Sequence, residues 1–340
     1  MAVIKYAAPH IIGDDKRAVV NVMDSGTLTQ GDEVKKFEKE VAKYVGARYA
    51  VAFNSATSAL FAAYKAMGMD SNTEMVTTPI TFKATANAAK LLGAKVYFQD
   101  RQVLTGEFVV PVYYAGRPSK FYGNRVVEDA SHALGTVFES GKMVGSCEDS
   151  DICVVSTHAI KNITTLGEGG IATTRNGDLA EYMRAFCNHG MYGNEQRILG
   201  LNFRMTEAQA VCGRSQLKRI DAMRDQRQEV VNYYNEKLAG YVETPAVRDE
   251  PTYWHLYATH LKNKTQRDKL KAYLKRKGVA TQIHYKPIYL EKYYQDEGYQ
   301  QGLCPKAEKF WDTELSLPLH CNLTLSDVEK VVDNVRRFVG

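Results

Sequence analysis

Between residues 49 and 174, short β-favouring runs alternate with stretches of helical length. This restricts the chain to an α/β fold: a mostly parallel sheet with right-handed crossovers and helices on its faces. The strands are expected at Tyr49–Phe53, Glu74–Thr78, Lys95–Phe98, Phe108–Val112, Arg125–Val127 and from Cys153 to Ser156. Between them, Val34, Phe37, Val41, Ala42 and Val45 recur at helical spacing before Gly46, and helices are expected at 59–67 and within 80–94. Helices at 178–187 and 216–238 follow, and the prolines at 245 and 251 mark a boundary. Beyond it a strand at 254–261, a helix at 266–277, a strand at 279–284 and a helix at 326–338 make a small α/β unit. The expected division is a large cofactor-binding domain over 1–240 and a small C-terminal domain over 241–340.

Composition removes several classes of function. With 44 basic and 39 acidic residues the net charge is +5, which suits an anionic small molecule, and the charges are spread too evenly for a nucleic-acid footprint. No apolar stretch reaches bilayer length and the first residues lack a signal-peptide pattern, so a cytoplasmic protein without a membrane partner is expected. The six cysteines form neither a CxxC nor a Cys/His cluster and read as reduced thiols, with no metal site.

Three features carry chemistry. Lys161 lies between the apolar run ending at Ser156 and the turn Gly167-Glu168-Gly169-Gly170, on a connection between two buried strands. Desolvation there disfavours the ammonium form and makes the amine a candidate for Schiff-base chemistry, against the plainer reading of an exposed loop lysine. Asn54–Ser58 turns the first strand into a helix. Free N–H groups at such a start bind phosphate, although an ordinary N-cap fits the same residues. Asp129 stands at a strand's carboxyl end, where sites in open α/β sheets gather; it also reads as a helix cap. Together the three match the needs of pyridoxal 5′-phosphate: an amine for its aldehyde, an acid for its ring nitrogen and a cup for its phosphate. Neither GxGxxG nor GxxxxGK[ST] is present, so dinucleotides and P-loop nucleotides are not indicated.

The same segments resemble the nucleotide-sugar aminotransferases of the DegT/StrS type, which are fold-type-I pyridoxal phosphate transferases. The likeness runs through SGTLTQGDEVKKFEKEVAKYVGARYAVAFNSATSAL (25–60), TPITFKATANA (78–88), VVEDASHALG (126–135), STHAIKNITTLGEGG (156–170), GLNFRMTEAQA (200–210), WHLY (254–257), HYKP (284–287) and LSLPLH (315–320). It implies that Lys161 carries the cofactor, Asp129 pairs with the ring nitrogen, and Phe82 lies against the ring. It further implies that Ala56, Thr57 and Ser156 hold the phosphate, that His132 sits near the phenolic oxygen, and that Asn202 reaches the cofactor of a second subunit. Read without the family, Phe82 is as consistent with core packing, His132 with a helix-end histidine and Asn202 with a turn.

The expected reaction follows from that likeness. An amino acid, expected to be glutamate, gives its amino group to a keto-deoxysugar carried on a nucleotide, in amino-sugar biosynthesis for glycans, by a homodimer with shared sites. The alternatives are amination of a cyclitol, dehydration of a keto sugar, and a non-catalytic relative; Lys161 opposes the second, because dehydratases of this type carry histidine there. The chain also departs from the family. Only RQVLTGE (101–107) follows Asp100 where a crossover helix is usual, the link 116–124 is trimmed, Cys187 stands where arginine is common, and Val155 and Thr157 flank Ser156 in place of aromatics. Those changes bear on the substrate more than on the chemistry.

Overall fold

The computed structural model describes residues 3–340. Met1 and Ala2, part of the expected 1–240 unit, lie outside the described residues. Helix α1 (Gly13–Ser25) and helix α2 (Asp32–Val45) precede the sheet, and Gly46 closes α2 in the left-handed conformation at φ 77°. Strand β1 (Tyr49–Phe53) leads into α3 (Ala56–Ala66), β2 (Glu74–Thr77), α4 (Lys83–Leu91) and β3 (Lys95–Phe98). Then β4 (Val103–Val110), β5 (Lys120–Asp129), β6 (Ile152–Ser156) and β7 (Gly170–Thr174) follow with no helix of α type between them. The seven strands form one sheet in the order β1-β7-β6-β5-β4-β2-β3. Strands β2 to β6 pair in parallel, whereas β7 runs antiparallel to both β1 and β6. The sheet is therefore mostly parallel, as expected.

The trimmed region explains itself in the strands. The expected strand at 108–112 begins at Val103 instead, and the one at 125–127 begins at Lys120. With only residues 99–102 linking β3 to β4 there is no room for a helix, so the early parts of β4 and β5 take over part of its covering role. Gly106 and Gly123 sit opposite one another in register. A Cβ on Gly106 would lie 2.7 Å from Val76 Cγ2, so β4 passes directly over that side chain. Leu104 and the half-buried Phe121 then close a small apolar cluster over Val76 and Val109.

After β7 come α5 (Gly177–Cys187), the short hairpin β8 (Met191–Tyr192) and β9 (Glu195–Gln196), then α6 (Glu207–Leu217) and α7 (Ile220–Leu238). The single helix expected over 216–238 is thus two, parted at Lys218 and Arg219. Strand β10 (Tyr257–His260), α8 (Lys264–Arg276), α9 (Lys292–Asp296), α10 (Pro305–Thr313), β11 (Glu314–Leu317) and α11 (Leu325–Val339) complete the chain. The strand expected at 279–284 is absent: Val279 and Gln282 make single bridges to Ile4 and Ser316. The partner of β10 is β11, whose run ELSL reads as a strand only once β10 lies beside it. A separate apolar core around Trp254, Leu270, Leu315 and Val331 takes in Ile4 and the second half of α7.

Candidate active site

At the carboxyl ends of the parallel strands, a cavity of about 490 Å³ opens between the start of α3, the start of α4, the loop after β6 and the segment 282–285. Seven of the eight expected site residues line it: Ala56, Thr57, Phe82, Asp129, His132, Ser156 and Lys161. Asn202 does not. It is exposed, and its Oδ1 accepts from Arg204 Nε at 3.1 Å, beside a bridge to Asn188.

The α3 start begins earlier than the expected 59–67 because Ser55 caps it. Ser55 Oγ accepts from the Ser58 N–H at 3.1 Å, while the Ser58 hydroxyl bonds Asn54 Oδ1 at 2.7 Å. The N–H groups of Ala56 and Thr57, which no helical carbonyl can reach, are left facing the cavity with the positive end of the helix dipole. Gly170 holds this corner together. A Cβ there would stand 2.5 Å from Ser55 C and 2.6 Å from Ala56 Cα, so only glycine lets β7 lie this close to the helix start.

Asp129 ends β5 and is 4 % exposed. Its Oδ2 accepts from the Thr85 hydroxyl at 2.6 Å and its Oδ1 from the Ser131 N–H at 3.2 Å. Thr85 has one hydroxyl proton and the carboxylate can only accept, so the 2.7 Å contact between Thr81 and Thr85 is donated by Thr81. The hydroxyls of Thr81, just before α4, and of Thr85, within it, thus orient the acid.

Lys161 sits in a loop clasped on itself. Thr157 and Thr165 hydroxyls meet at 2.7 Å, and the Ala159 N–H reaches Gly167 O at 2.8 Å. Asn162 ties the loop to the 130–135 segment by donating to His132 O at 3.3 Å and Leu134 O at 2.8 Å, and Tyr253 secures it from the other side through Asn162 O at 2.8 Å. Burial lowers the Lys161 amine to about 8, against the pull of the Asp129 carboxylate. Near pH 7 roughly a tenth of such an amine is unprotonated, far more than of an ordinary lysine.

His132 is buried. Its Nδ1 accepts from the Ala115 N–H at 3.3 Å, which leaves the ring proton on Nε2, 3.3 Å from the Tyr285 hydroxyl. Burial first, and then Lys161 and His284, hold its pKa well below the usual range, so the ring is neutral. His255 packs against it at 4.2 Å between centroids. Phe82 is 58 % exposed at the N-terminus of α4, 6.2 Å from the Tyr285 ring, so its face is available to a ligand and the core-packing reading fails. Ser156 Oγ accepts from the His158 N–H at 3.3 Å. Among the described residues no group of His, Cys, Asp and Glu is arranged for a metal ion.

Sequence reasoning missed Tyr6, Thr81, Gln282 and Tyr285, which complete the cavity from distant parts of the chain. His284, within the segment HYKP, lines the wall as well. Thr85 was missed as well: its spacing of four from Thr81 on a helix start was the available signal.

The profile of the DegT/DnrJ/EryC1/StrS aminotransferase family matches residues 9–112 and 107–336. This chain belongs to that family. The two matched segments overlap at 107–112, around the end of β4, a few residues past the short β3–β4 link. Members of the family similar to this chain include the spore coat polysaccharide biosynthesis protein SpsC of Bacillus subtilis, 33 % identical over an alignment covering 99 % of this chain and 97 % of that one. That alignment runs over 382 residues, more than the 340 here, so the relative carries extra segments. The UDP-4-amino-4,6-dideoxy-N-acetyl-beta-L-altrosamine transaminase of Helicobacter pylori is 34 % identical, covering 97 % of this chain and 96 % of the relative. The solved structure of Helicobacter pylori PseC, an aminotransferase involved in the biosynthesis of pseudoaminic acid, superposes with a TM-score of 0.91 at 31 % identity over 99 % of both chains. The protein is an aminotransferase of the pyridoxal phosphate type. Its cavity fits that cofactor: two unshared N–H groups for an anionic phosphate, an amine lowered to about 8 for an aldehyde, and an anchored acid for a ring nitrogen.

Proposed function

We propose that this aminotransferase moves an amino group from an amino acid, glutamate in the first instance, to a keto-deoxysugar linked to a nucleoside diphosphate, in two half-reactions. The observation that carries the reading is the meeting of Lys161, Asp129 and the α3 start in one cavity whose lining also offers an exposed aromatic face. The substrate class is supported by the 34 % identity to a transaminase of a UDP-linked amino sugar.

Pyridoxal phosphate supplies an electron-withdrawing ring and a carbon that holds the amino group between donor and acceptor. In this proposal the Ala56 and Thr57 N–H groups and Ser156 hold the phosphate, and Phe82 lies along the ring. Asp129, oriented by the Thr85 hydroxyl and the Ser131 N–H, would face the ring nitrogen and hold a proton there. His132 donates from Nε2 toward the phenolic oxygen. Lys161 would hold the cofactor through Nζ and, once released, the same nitrogen would take up and return the proton at the substrate carbon, a task suited to an amine near 8.

The active unit in this proposal is a homodimer in which Asn202 serves the other subunit's site. Support comes from the exposed leucines Leu28, Leu166, Leu199 and Leu201. Their segments are tied to one another through Glu207 N–H to Leu28 O at 3.0 Å, Gln209 Nε2 to Glu168 O at 2.8 Å and His189 N–H to Leu201 O at 3.0 Å, and an apolar surface of this kind marks an interface. The proposal keeps a large unit at 1–240 and a small one at 241–340. It also keeps a cytoplasmic setting, consistent with six free cysteines. Among the described residues no helix is long and apolar enough to cross a membrane.

The test is to load the enzyme with glutamate and offer nucleotide-linked keto sugars beside keto cyclitols, following amination by mass spectrometry. The proposal expects amination of at least one nucleotide sugar. Turnover confined to cyclitols would contradict it.

A further inference from the structure

Behind the cavity wall lies a buried array of three side chains that the reaction described above does not use. Glu314, fully buried at the start of β11, accepts the His284 N–H on Oε2 at 2.7 Å and meets the Ser316 hydroxyl on Oε1 at 2.5 Å. Ser316 Oγ in turn stands 2.8 Å from His284 Nδ1. His284 lines the cavity, and its Nε2 has no protein partner among the described residues. The Tyr114 hydroxyl donates to His284 O at 2.6 Å and fixes the ring's backbone.

A serine has one hydroxyl proton, so the array has two self-consistent arrangements. With Glu314 ionised, Ser316 donates to the carboxylate and accepts from Nδ1–H, which leaves a bare Nε2 facing the cavity. With Glu314 protonated, the acid donates to Ser316, Ser316 donates to Nδ1, and Nε2 carries the proton. We propose that the Glu314–Ser316–His284 array sets His284 Nε2 as donor or acceptor, and that in the donating state it binds a carboxylate of the amino-acid donor. The choice of ligand follows from the chemistry: a sugar hydroxyl can answer either state, but a carboxylate only accepts.

The carboxylate half of this inference rests on the aminotransfer reading above; the tautomer half does not. Burial pushes the Glu314 carboxyl up to about 8. The opposing influences are its bonds to Ser316 and the His284 N–H, and the charges of Arg267 and Lys271 on α8. His260 lies across from it on β10, and the tyrosines Tyr114 and Tyr285 also face the array. His284 faces Lys161, Lys271, Tyr6 and Tyr285. Burial, and then the two lysines, lowers it to about 3, so between pH 6 and 9 the ring stays neutral and only its tautomer changes.

The test uses holoenzyme with ¹⁵N-labelled histidine. In the wild type, the His284 proton moves from Nε2 to Nδ1 as pH rises, with a midpoint near 8. In Glu314→Gln the amide donates to Ser316 and accepts the His284 N–H, so the proton stays on Nε2 throughout. The half-saturating glutamate concentration is read in parallel from the cofactor's absorbance change, with no sugar present. Between pH 7 and 9 it rises about tenfold in the wild type relative to Glu314→Gln, as the competent fraction falls to about one in eleven. Deprotonation of glutamate's own amine is common to both and cancels. Ser316→Ala, which breaks the relay while leaving Glu314 in place, loses the wild-type pH dependence and serves if the first variant does not fold.

A wild-type tautomer that stays fixed from pH 6.5 to 9.5 overturns the switch. A tautomer that moves while the glutamate ratio changes less than twofold overturns the carboxylate assignment. A cofactor absorbance indifferent to every amino acid, with the tautomer titration intact, overturns the aminotransfer reading and the carboxylate assignment with it, and leaves the switch standing.

Discussion

Replacing Gly170 with alanine puts a methyl group where β7 meets the start of α3. The new Cβ would lie 2.5 Å from Ser55 C and 2.6 Å from Ala56 Cα, both backbone atoms that no rotamer change can move aside. Ordinary contact requires the two segments to part by roughly 1 Å. Overpacking of this kind costs about 1–3 kcal/mol, so the protein should still fold, with its melting temperature lowered by a few degrees. The larger effect falls on the cofactor. A shift of roughly 1 Å spoils the two N–H bonds from Ala56 and Thr57, each charge-assisted and contributing at least about 1.5 kcal/mol, for a total near 3 kcal/mol. That corresponds to roughly 10²-fold weaker binding of pyridoxal phosphate. Fluorescence titration of cofactor-free protein measures it, with a melt of the same sample to show folding. Wild-type affinity in a folded Gly170→Ala protein would mean that the α3 start is not the phosphate cup.

Other outcomes follow from the same geometry. Asp129→Asn keeps the side chain's shape and can still accept the Ser131 N–H, with its amide donating to the Thr85 hydroxyl instead of accepting from it, but it removes the charge, and should retain the fold while turnover falls roughly 10²–10⁴-fold; near-normal steady-state rates would reduce Asp129 to a structural cap. In cofactor-free protein, acylation of Lys161 followed by peptide mapping should speed up between pH 7 and 9 and then level off. The free amine is the reactive form and its pKa is lowered to about 8. A rate still climbing at pH 10 would mark an ordinary lysine. Lys161→Ala and Asn202→Ala, each impaired alone, should regain part of one site's activity when mixed and shown to exchange subunits, because a hybrid dimer keeps one site intact. Hybrids that form and stay inactive would assign Asn202 to its own subunit.

The sheet was legible because its strands are short and apolar and lie between helical stretches; β1 and β3 fall where the pattern puts them. Lys161, Asp129 and the α3 start were legible because each stands at the end of such a strand. What escaped the sequence depends on partners far away in the chain. β11 exists because β10 lies beside it, and 279–284 fails as a strand because only Val279 and Gln282 find bridging partners. The early parts of β4 and β5 look like loops, with glycines at 106 and 123. Those glycines are what allow β4 to cross Val76 and β5 to lie against Val109, and that packing makes the segments strands. The cavity's far wall, Gln282 to Tyr285, follows from the same long-range contacts, so motif spacing could not anticipate it.

The central claim is that Lys161 is the residue to which the cofactor is attached. Borohydride reduction of the holoenzyme, digestion and mass spectrometry of the labelled peptide test it in one step. The account predicts a single pyridoxyl-modified peptide carrying the label on Lys161; a label on Lys83, Lys142 or any other lysine would contradict it.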